Sequence, residues 1–385
     1  MKQINTKLFN WASIIDDNAL QQAIIASEMP FIFPHIALMP DAHLGKGATV
    51  GSVIPTIGAI IPSAVGVDIG CGMIAVKTQF KRADITGNLE DLRHSIERSI
   101  PLSAGHYNQK LTETATKRTN LLYDKATKDY SIFAENWKLQ LGTLGSGNHF
   151  IEISIDENED VWLFLHSGSR GIGNKIAQYH IEKSQELCKK WFINLPHPDL
   201  AYLIEDSQEF DDYITDLNWG QEFALLNREE MMDRVIKDFS HFMGKEIDEL
   251  ERINCHHNFT KRENHFGKNV WLSRKGAISA ELGTMGLIPS SMGTDSYVVE
   301  GKGNKLAFNS SPHGAGRVFS RSQARKTFNM EQLKEAMVGI EYRETEAFLD
   351  EIPQAYKNID IIMNDSQDLV TIKHTLRQIV NIKGE

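Results

Sequence analysis

Six short segments of this chain gather reactive polar side chains, five of them directly beside glycine, and they run from residue 39 to residue 317. They are "MPDAHLGKGATVGS" (39–52), "GVDIGCGM" (66–73), "GTLGSGNHF" (142–150), "LHSGSRGIG" (165–173), "CHHNF" (255–259) and "SPHGAGR" (311–317). Glycine lets the backbone approach a ligand closely and take positive φ. One such loop is an ordinary turn; five are hard to explain as turns alone. They lie on both sides of a helical middle, so if they form one site the chain must be one functional unit.

The pattern between them mixes runs of strands with runs of helices rather than repeating βαβ units, which predicts an α+β fold. The first ~30 residues read as helical, by apolar spacing. Residues 47–80 read as strands broken by glycine turns, with Met73–Phe80 strand-like. Residues 86–98 and 117–139 read as partly helical. Phe150–Ile155 and Val161–His166 are β-branched or aromatic and read as strands. Gly173–Trp191 carries Ile176, Ala177, Tyr179, His180 and Leu187 at helical spacing. Residues 205–250 read as one or two long helices, short strands follow from 253, and a last helix is expected near 366–380. No composition break marks a boundary. The expectation is a single catalytic domain over 1–385 with a helical insertion at roughly 173–250.

The chain has 385 residues, 41% of them hydrophobic, enough for one large core. No stretch approaches the ~20 apolar residues of a membrane span, and "MKQINTKLFNWASIIDDN" lacks the pattern of a secretion signal. Three scattered cysteines, Cys71, Cys188 and Cys255, argue against a disulfide framework and for a reducing compartment. A cytoplasmic protein is expected. The net charge of −10 excludes a uniformly basic, nucleic-acid-coating surface. Local basic clusters remain, Arg274-Lys275 and then Arg317, Arg321, Arg325 and Lys326. Each is either a solvated face or part of a basic groove.

Asp68, Cys71, His149, His166 and His257 are all metal-ligand types, and a thiolate with imidazoles and a carboxylate suits a transition metal. Five candidates exceed the four of a closed zinc site, so two ions sharing a bridging thiolate are conceivable. Taken singly, His166 reads equally as a hydrogen-bonded residue at a strand end and Cys71 as a small buried hydrophobe. Spacing alone does not bring the five together. His313, between proline and glycine, is poorly placed for a core and could act as general base or nucleophile. The N–H groups of Gly314, Ala315 and Gly316 could cradle a phosphate, with Arg317 adding a planar charged fork. An exposed histidine on a glycine turn is the plainer reading. "IPSSMGTDSY" (288–297) is a polar turn or a base- or phosphate-binding loop.

Together these segments resemble the RtcB family of RNA ligases. "MPDAHLGKGATVGSVIP", "VGVDIGCGM", "GTLGSGNHFIEI", "HSGSRG", "CHHN", "RKGA", "SMGTDSY", "SPHGAGR", "AYKNI" and "NIKG" match in order from about residue 36 to the end. The resemblance implies an enzyme that joins RNA ending in a 3′-phosphate or 2′,3′-cyclic phosphate to RNA with a 5′-hydroxyl, for RNA repair or tRNA splicing. It implies GTP as GMP donor, two Mn²⁺ per active site, a GMP-histidine intermediate and an RNA 3′-end activated by GMP. Carried over, the guanylylated residue is His313, with Asp41 and Arg317 as further catalytic candidates. The metal ligands are Asp68, Cys71, His149, His166 and His257, with Cys71 bridging. The nucleotide pocket is Asn148, His149, Phe150, Ile151, Glu152, His257, Asn258, Pro289, Ser290, Ser291, Met292, Ser296, His313, Gly314, Ala315, Gly316, Tyr356 and Lys383, with Glu152 at the guanine edge and Tyr356 beside the base. RNA is the expected partner, without a membrane, and a monomer is the default.

One position departs from the family pattern: Ser290 stands where "PGSMG" has glycine. If that position needs positive φ, Ser290 is strained. Two other classes compete with the ligase: a metal-dependent hydrolase of cyclic phosphates or RNA ends, and a non-catalytic RNA-binding protein. Retention of "SPHGAGR", Tyr356 and Lys383 argues against the first. Intact Asp68, Cys71 and His313 argue against the second.

Overall fold

The computed structural model describes residues 1–385. Two large β-sheets, two two-stranded ones and a layer of helices make up the molecule, an α+β arrangement. One sheet has six strands, ordered Lys2–Asn5, Leu8–Asn10, Ile36–His43, Val50–Thr56, Lys268–Lys275 and Asn258–His265. The larger sheet runs Glu249–His256, Gly72–Lys81, Asp160–Ser167, Phe150–Ile155, Val370–Ile382, Ser296–Gly301 and Met285–Ile288, with Glu341–Tyr342 added beside Val370–Ile382.

Strand alternation sorts the side chains into layers. On Gly72–Lys81, Met73 and Ala75 face one way and Ile74 and Val76 the other; on Asp160–Ser167, Trp162 and Phe164 oppose Leu163 and Leu165. The first set packs with Ala37, Met39, Val53, Val270 and Leu272 of the six-stranded sheet, so the two sheets meet face to face. The second set packs under Met231, Met232, Val235 and Phe239 of the helix Gln208–Met243 and under Leu92 and Ile96 of Leu89–Ser99. A further core of Tyr130, Trp137, Trp219 and Phe223 joins the long helix to Arg170–Lys190 and the segments before it. Tyr130 stacks on Trp219 at 3.8 Å between ring centroids.

Several elements differ from the sequence expectation. The first residues form two strands before the helix Asp17–Ser27, because Leu8–Asn10 finds a parallel partner in Ile36–His43. The residues near 366–380 form no helix. The helix there is Ile359–Asp365, and the β-branched run Val370, Thr371, Ile372 and Thr375 lies in a strand paired with Ser296–Gly301. Pairing on both sides overrides a helical spacing of apolar residues. Residues 208–243 form one helix, closed by Gly244 in the left-handed conformation, and 249–256 is a strand. No helix is long and apolar enough to cross a membrane.

The Arg274-Lys275 pair is not a surface cluster. Arg274 is fully buried and its guanidinium donates to both Glu263 oxygens, at 2.6 and 3.2 Å, across the paired strands. Burial opposes the Glu263 charge, but His265 and Arg274 outweigh it and hold its carboxyl down to about 2. A depressed acid contributes stability above its unfolded pKa of ~4.3 and loses it as pH falls through about 2. Removing one partner of such a pair strands the other charge. Glu263→Gln is therefore expected to lower the unfolding free energy by about 3–5 kcal/mol at pH 7. Chemical denaturation should show that difference shrinking as the pH is taken below 4.

Candidate functional site

Four neighbouring antiparallel strands of the large sheet deliver the metal-ligand types to one place. Gly72–Lys81 and Phe150–Ile155 begin where Asp160–Ser167 and Glu249–His256 end. Cys71 precedes the first, His149 precedes the second, His166 lies near the end of the third, and His257 follows the fourth. His166 pairs with both Met73 and Phe150 in register. It shares the parity of Trp162 and Phe164, so its ring faces the gap between the sheets.

The resulting cluster has two triads sharing one sulfur, Asp68/Cys71/His149 and Cys71/His166/His257, with ligand atoms within 4.8 Å of one another in each. Cys71 Sγ lies 3.4 Å from His149 Nε2 and 3.3 Å from His166 Nε2. His166 Nε2 and His257 Nε2 face each other at 2.9 Å, and His149 Nε2 is 3.1 Å from Asp68 Oδ2. Leu144 O holds His149 Nδ1 at 2.8 Å and Asn148 O holds His166 Nδ1 at 3.2 Å, which leaves both Nε2 atoms as lone-pair donors. Burial, then neighbouring histidines, push His166 and His257 well below the usual imidazole range, so both are neutral. Burial pushes the Cys71 thiol well up, and Asp68 adds to it. For Asp68, burial opposes the charge, but His149 and then Arg170 outweigh it and hold the carboxyl near 2. This set can hold divalent metal.

The opposite wall comes from the six-stranded sheet. Asp41, on Ile36–His43, shares the inward parity of Ala37 and Met39. Its Oδ2 accepts the backbone N–H of His313 at 3.1 Å and lies 2.6 Å from His313 Nδ1, off the line of a straight hydrogen bond. The His313 ring stands 4.5 Å from that of His257. Gly276, at φ 65°, leaves room for it: a Cβ there would meet His313 Cε1 at 2.9 Å.

Between the walls is a cavity of about 330 Å³. Of the residues expected from sequence, Asp68, Asn148, Phe150, Glu152, His166, His257 and Asn258 line it. So do Pro289–Met292, His313–Arg317, Tyr356 and Lys383. Cys71, His149 and Asp41 sit directly behind the wall through the contacts above. Two expected residues do not face it. Ile151 alternates to the helix side, in the core with Ile74, Leu163 and Met231. Ser296 is fully buried behind the 289–292 loop, its Oγ 3.4 Å from Ser290 N. Ser290 has no positive φ, so its departure from glycine carries no strain of that kind.

Arg317 differs from the expected free fork. Its guanidinium donates to Phe319 O, Asp350 O, Glu351 and Tyr356 Oη, and it lies 4.8 Å over the Tyr356 ring. The hub of this group is Glu351, which the sequence reading missed. It accepts from Tyr356 Oη at 2.6 Å and pairs with Arg317, Arg321 and Lys383 at 3.2, 2.8 and 3.4 Å. Burial would raise its carboxyl; Lys383 and the two arginines hold it below the usual range instead. Nothing in "TEAFLDEIP" singles it out. Arg170, in the quoted "HSGSRG", reaches His149 Nδ1 at 3.3 Å. Lys275, in the quoted "RKGA", lines the cavity with its ammonium held by Lys46 O and Ser63 O, and burial lowers it to about 8.

Gly168 lies flat against the Asp68 carboxylate, where any Cβ would collide. Gly168→Ala is expected to displace Asp68 and weaken divalent-metal binding about 10- to 100-fold, the usual range for a disturbed outer contact. Calorimetric titration checks this, with the far-UV spectrum unchanged.

Comparison with known proteins bears on this geometry. The family model described as tRNA-splicing ligase RtcB matches residues 22–384. An RNA-splicing ligase RtcB1 of Escherichia coli is 47% identical over 388 residues, covering 96% of this chain and 95% of that protein. The RNA-splicing ligase RtcB of Escherichia coli K12 is 46% identical with the same coverage. A tRNA-splicing ligase RtcB of Pyrobaculum aerophilum is 31% identical over 439 residues, covering 94% and 90%. The order of motifs, the near-complete coverage and this level of identity place the chain in the RtcB family.

Proposed function

We propose that this protein is a GTP- and Mn²⁺-dependent RNA ligase that joins 3′-phosphate or 2′,3′-cyclic phosphate ends to 5′-hydroxyl ends. The observation that carries the reading is the seat of His313, between the Asp41 carboxylate at 2.6 Å and the His257 ring at 4.5 Å, on the wall facing the shared-sulfur cluster. A histidine there has a carboxylate beside Nδ1 and a metal-ligand imidazole against its ring. The family membership and the relatives' names support ligase chemistry on RNA.

The Asp41 carboxylate beside Nδ1 favours the tautomer with the ring proton there, which leaves Nε2 the lone pair. Nε2 attacks the α-phosphorus of GTP, the bond from that phosphorus to the bridging oxygen breaks, and pyrophosphate leaves with the electron pair. A terminal oxygen of the RNA 3′-phosphate next attacks the histidine-bound phosphorus, and the N–P electrons return to Nε2. The 5′-hydroxyl oxygen then attacks the RNA phosphorus, losing its proton, and GMP leaves. A cyclic phosphate is first opened by water, whose oxygen bonds to phosphorus as the bond to O2′ breaks and O2′ takes up a proton. The N–H groups of Gly314, Ala315 and Gly316 are suited to bind phosphoryl oxygens where charge builds. Glu152 offers a carboxylate to the guanine N1–H and 2-amino group, and Tyr356 a face to the base. Asp68, Cys71, His149, His166 and His257 would hold the two metals, which supply Lewis-acid stabilisation of phosphoryl charge.

The donor set fits a pair of divalent ions, with Cys71 common to both triads. Two ions are expected per chain, at most one in His257→Ala and none bound tightly in Cys71→Ala, by metal analysis of gel-filtered protein. On affinity alone a cysteine–histidine set favours zinc over manganese. Excess Zn²⁺ is therefore expected to suppress Mn²⁺-supported ligation.

The deciding experiment incubates the protein with Mn²⁺ and GTP labelled at the α-phosphate, beside His313→Ala. An acid-labile, alkali-stable label on the parent alone is expected. No label with any metal on folded protein overturns the guanylyl-transfer step and leaves metal-dependent hydrolysis of RNA ends as the better reading.

A further inference from the structure

The strand Val370–Ile382 carries a β-bulge against Phe150–Ile155, where its register shifts between Gln378 and Val380. A regular strand would put residues three apart on opposite faces. The extra residue brings Gln378 and Asn381 to the cavity side together, while Ile379 and Val380 both enter the core beneath the helices. Gln378, Asn381 and Glu152 are all at least 97% buried, and Asn381 stands directly opposite Glu152 in the register.

Their hydrogen bonds have a fixed sense. Gln378 Nε2 donates to Ser291 O at 3.0 Å and to Thr294 O at 2.9 Å. Backbone carbonyls only accept, so the amide cannot be turned around. Gln378 Oε1 therefore faces Asn381 and accepts from its Nδ2 at 3.0 Å. That forces the Asn381 NH₂ toward Glu152, where it donates to Oε1 at 3.0 Å. Both hydrogens of the NH₂ are then used. Two buried oxygens are left without a donor, Glu152 Oε2 and Asn381 Oδ1. An unsatisfied buried acceptor costs about 1–3 kcal/mol, so the place is built for a ligand edge that brings donors.

We infer that Gln378 and Asn381 are positioning residues whose one-way hydrogen bonds, set by the backbone carbonyls of Ser291 and Thr294, fix Glu152 Oε1 as an acceptor, leave Oε2 to the donors of a ligand and thereby set the base preference of the pocket. The inference rests on the nucleotide-binding reading above and adds the device that sets its specificity. A guanine presents two adjacent donors, N1–H and the 2-amino group, to such an edge. An adenine presents a bare N1 there and is refused, because its lone pair meets the carboxylate.

The test compares GTP with ATP in wild type and in the isosteric Asn381→Asp, which replaces the donor to Glu152 and Gln378 with an acceptor. In Asn381→Asp the donor to Glu152 becomes a second carboxyl and the two share one proton, so the sense of that hydrogen bond is no longer fixed. Labelling of the protein from α-labelled nucleotide with Mn²⁺ and equilibrium binding of each nucleotide are both measured. The GTP-over-ATP ratio of kcat/KM and of affinity is expected to fall at least tenfold in the variant, with the ATP values unchanged. A parallel loss for both nucleotides, or an unchanged ratio, overturns the inference, since a merely structural role lowers both alike. Wild type that prefers GTP in binding but takes no label rejects the histidine intermediate alone. The binding ratio then still decides this point. Wild type that binds both nucleotides equally, or neither, overturns it outright.

Discussion

Everything in the cleft depends on one register, the antiparallel pairing of Glu249–His256, Gly72–Lys81, Asp160–Ser167 and Phe150–Ile155. Alternating strand directions turn two beginnings and two endings into one rim, and the rim carries Cys71, His149, His166 and His257. A one-residue slip would send His166 to the helix side of the sheet. The apolar alternation of Trp162 and Phe164 against Leu163 and Leu165 prevents that slip, because both faces are buried, one under a sheet and one under helices. The packing of the core and the placement of the ligands are therefore one specification.

The cleft holds charges that burial disfavours and neighbours offset. Asp68 keeps its charge through His149 and Arg170, and Glu351 keeps its charge through Lys383, Arg321 and Arg317. Glu152 has less help: burial pushes it up to about 8 against Lys383 and Asn381. Its proton is then easily exchanged near neutral pH, and donors arriving from a ligand favour the charged form.

How much of this could be read beforehand differs from residue to residue. The glycine-flanked segments announced most of the cavity lining, because close backbone approach demands glycine at fixed places. The strands 150–155 and 160–167 were legible from β-branched and aromatic runs. The strand 370–382 was not, since its apolar spacing also suits a helix and only pairing on both sides decides. Ile151 shows the same limit at single-residue scale. Its neighbours face the cavity and strand alternation takes it to the other side. Glu351 and Gln378 left no trace in the sequence, since each acts through partners remote in the chain, Lys383 and Arg317 for the one and the Ser291–Thr294 loop for the other. Arg274 looked like part of a basic surface and is an interior strut, because its acidic partner Glu263 lies on the adjacent strand.

His313 and Asp41 belong to the side of the smaller sheet, whereas the metal-ligand cluster belongs to the larger one. The gap between them is set by the interleaved apolar side chains that keep two packed sheets about 10 Å apart. The molecule thus behaves as a vice whose jaw width is fixed by residues that never touch a ligand, such as Val53, Leu272 and Phe164. Reach between the two jaws is a property of the whole interior. No piece of the chain carrying only one sheet inherits it, and drift in the size of those interior side chains retunes the chemistry without altering a single group in the cavity.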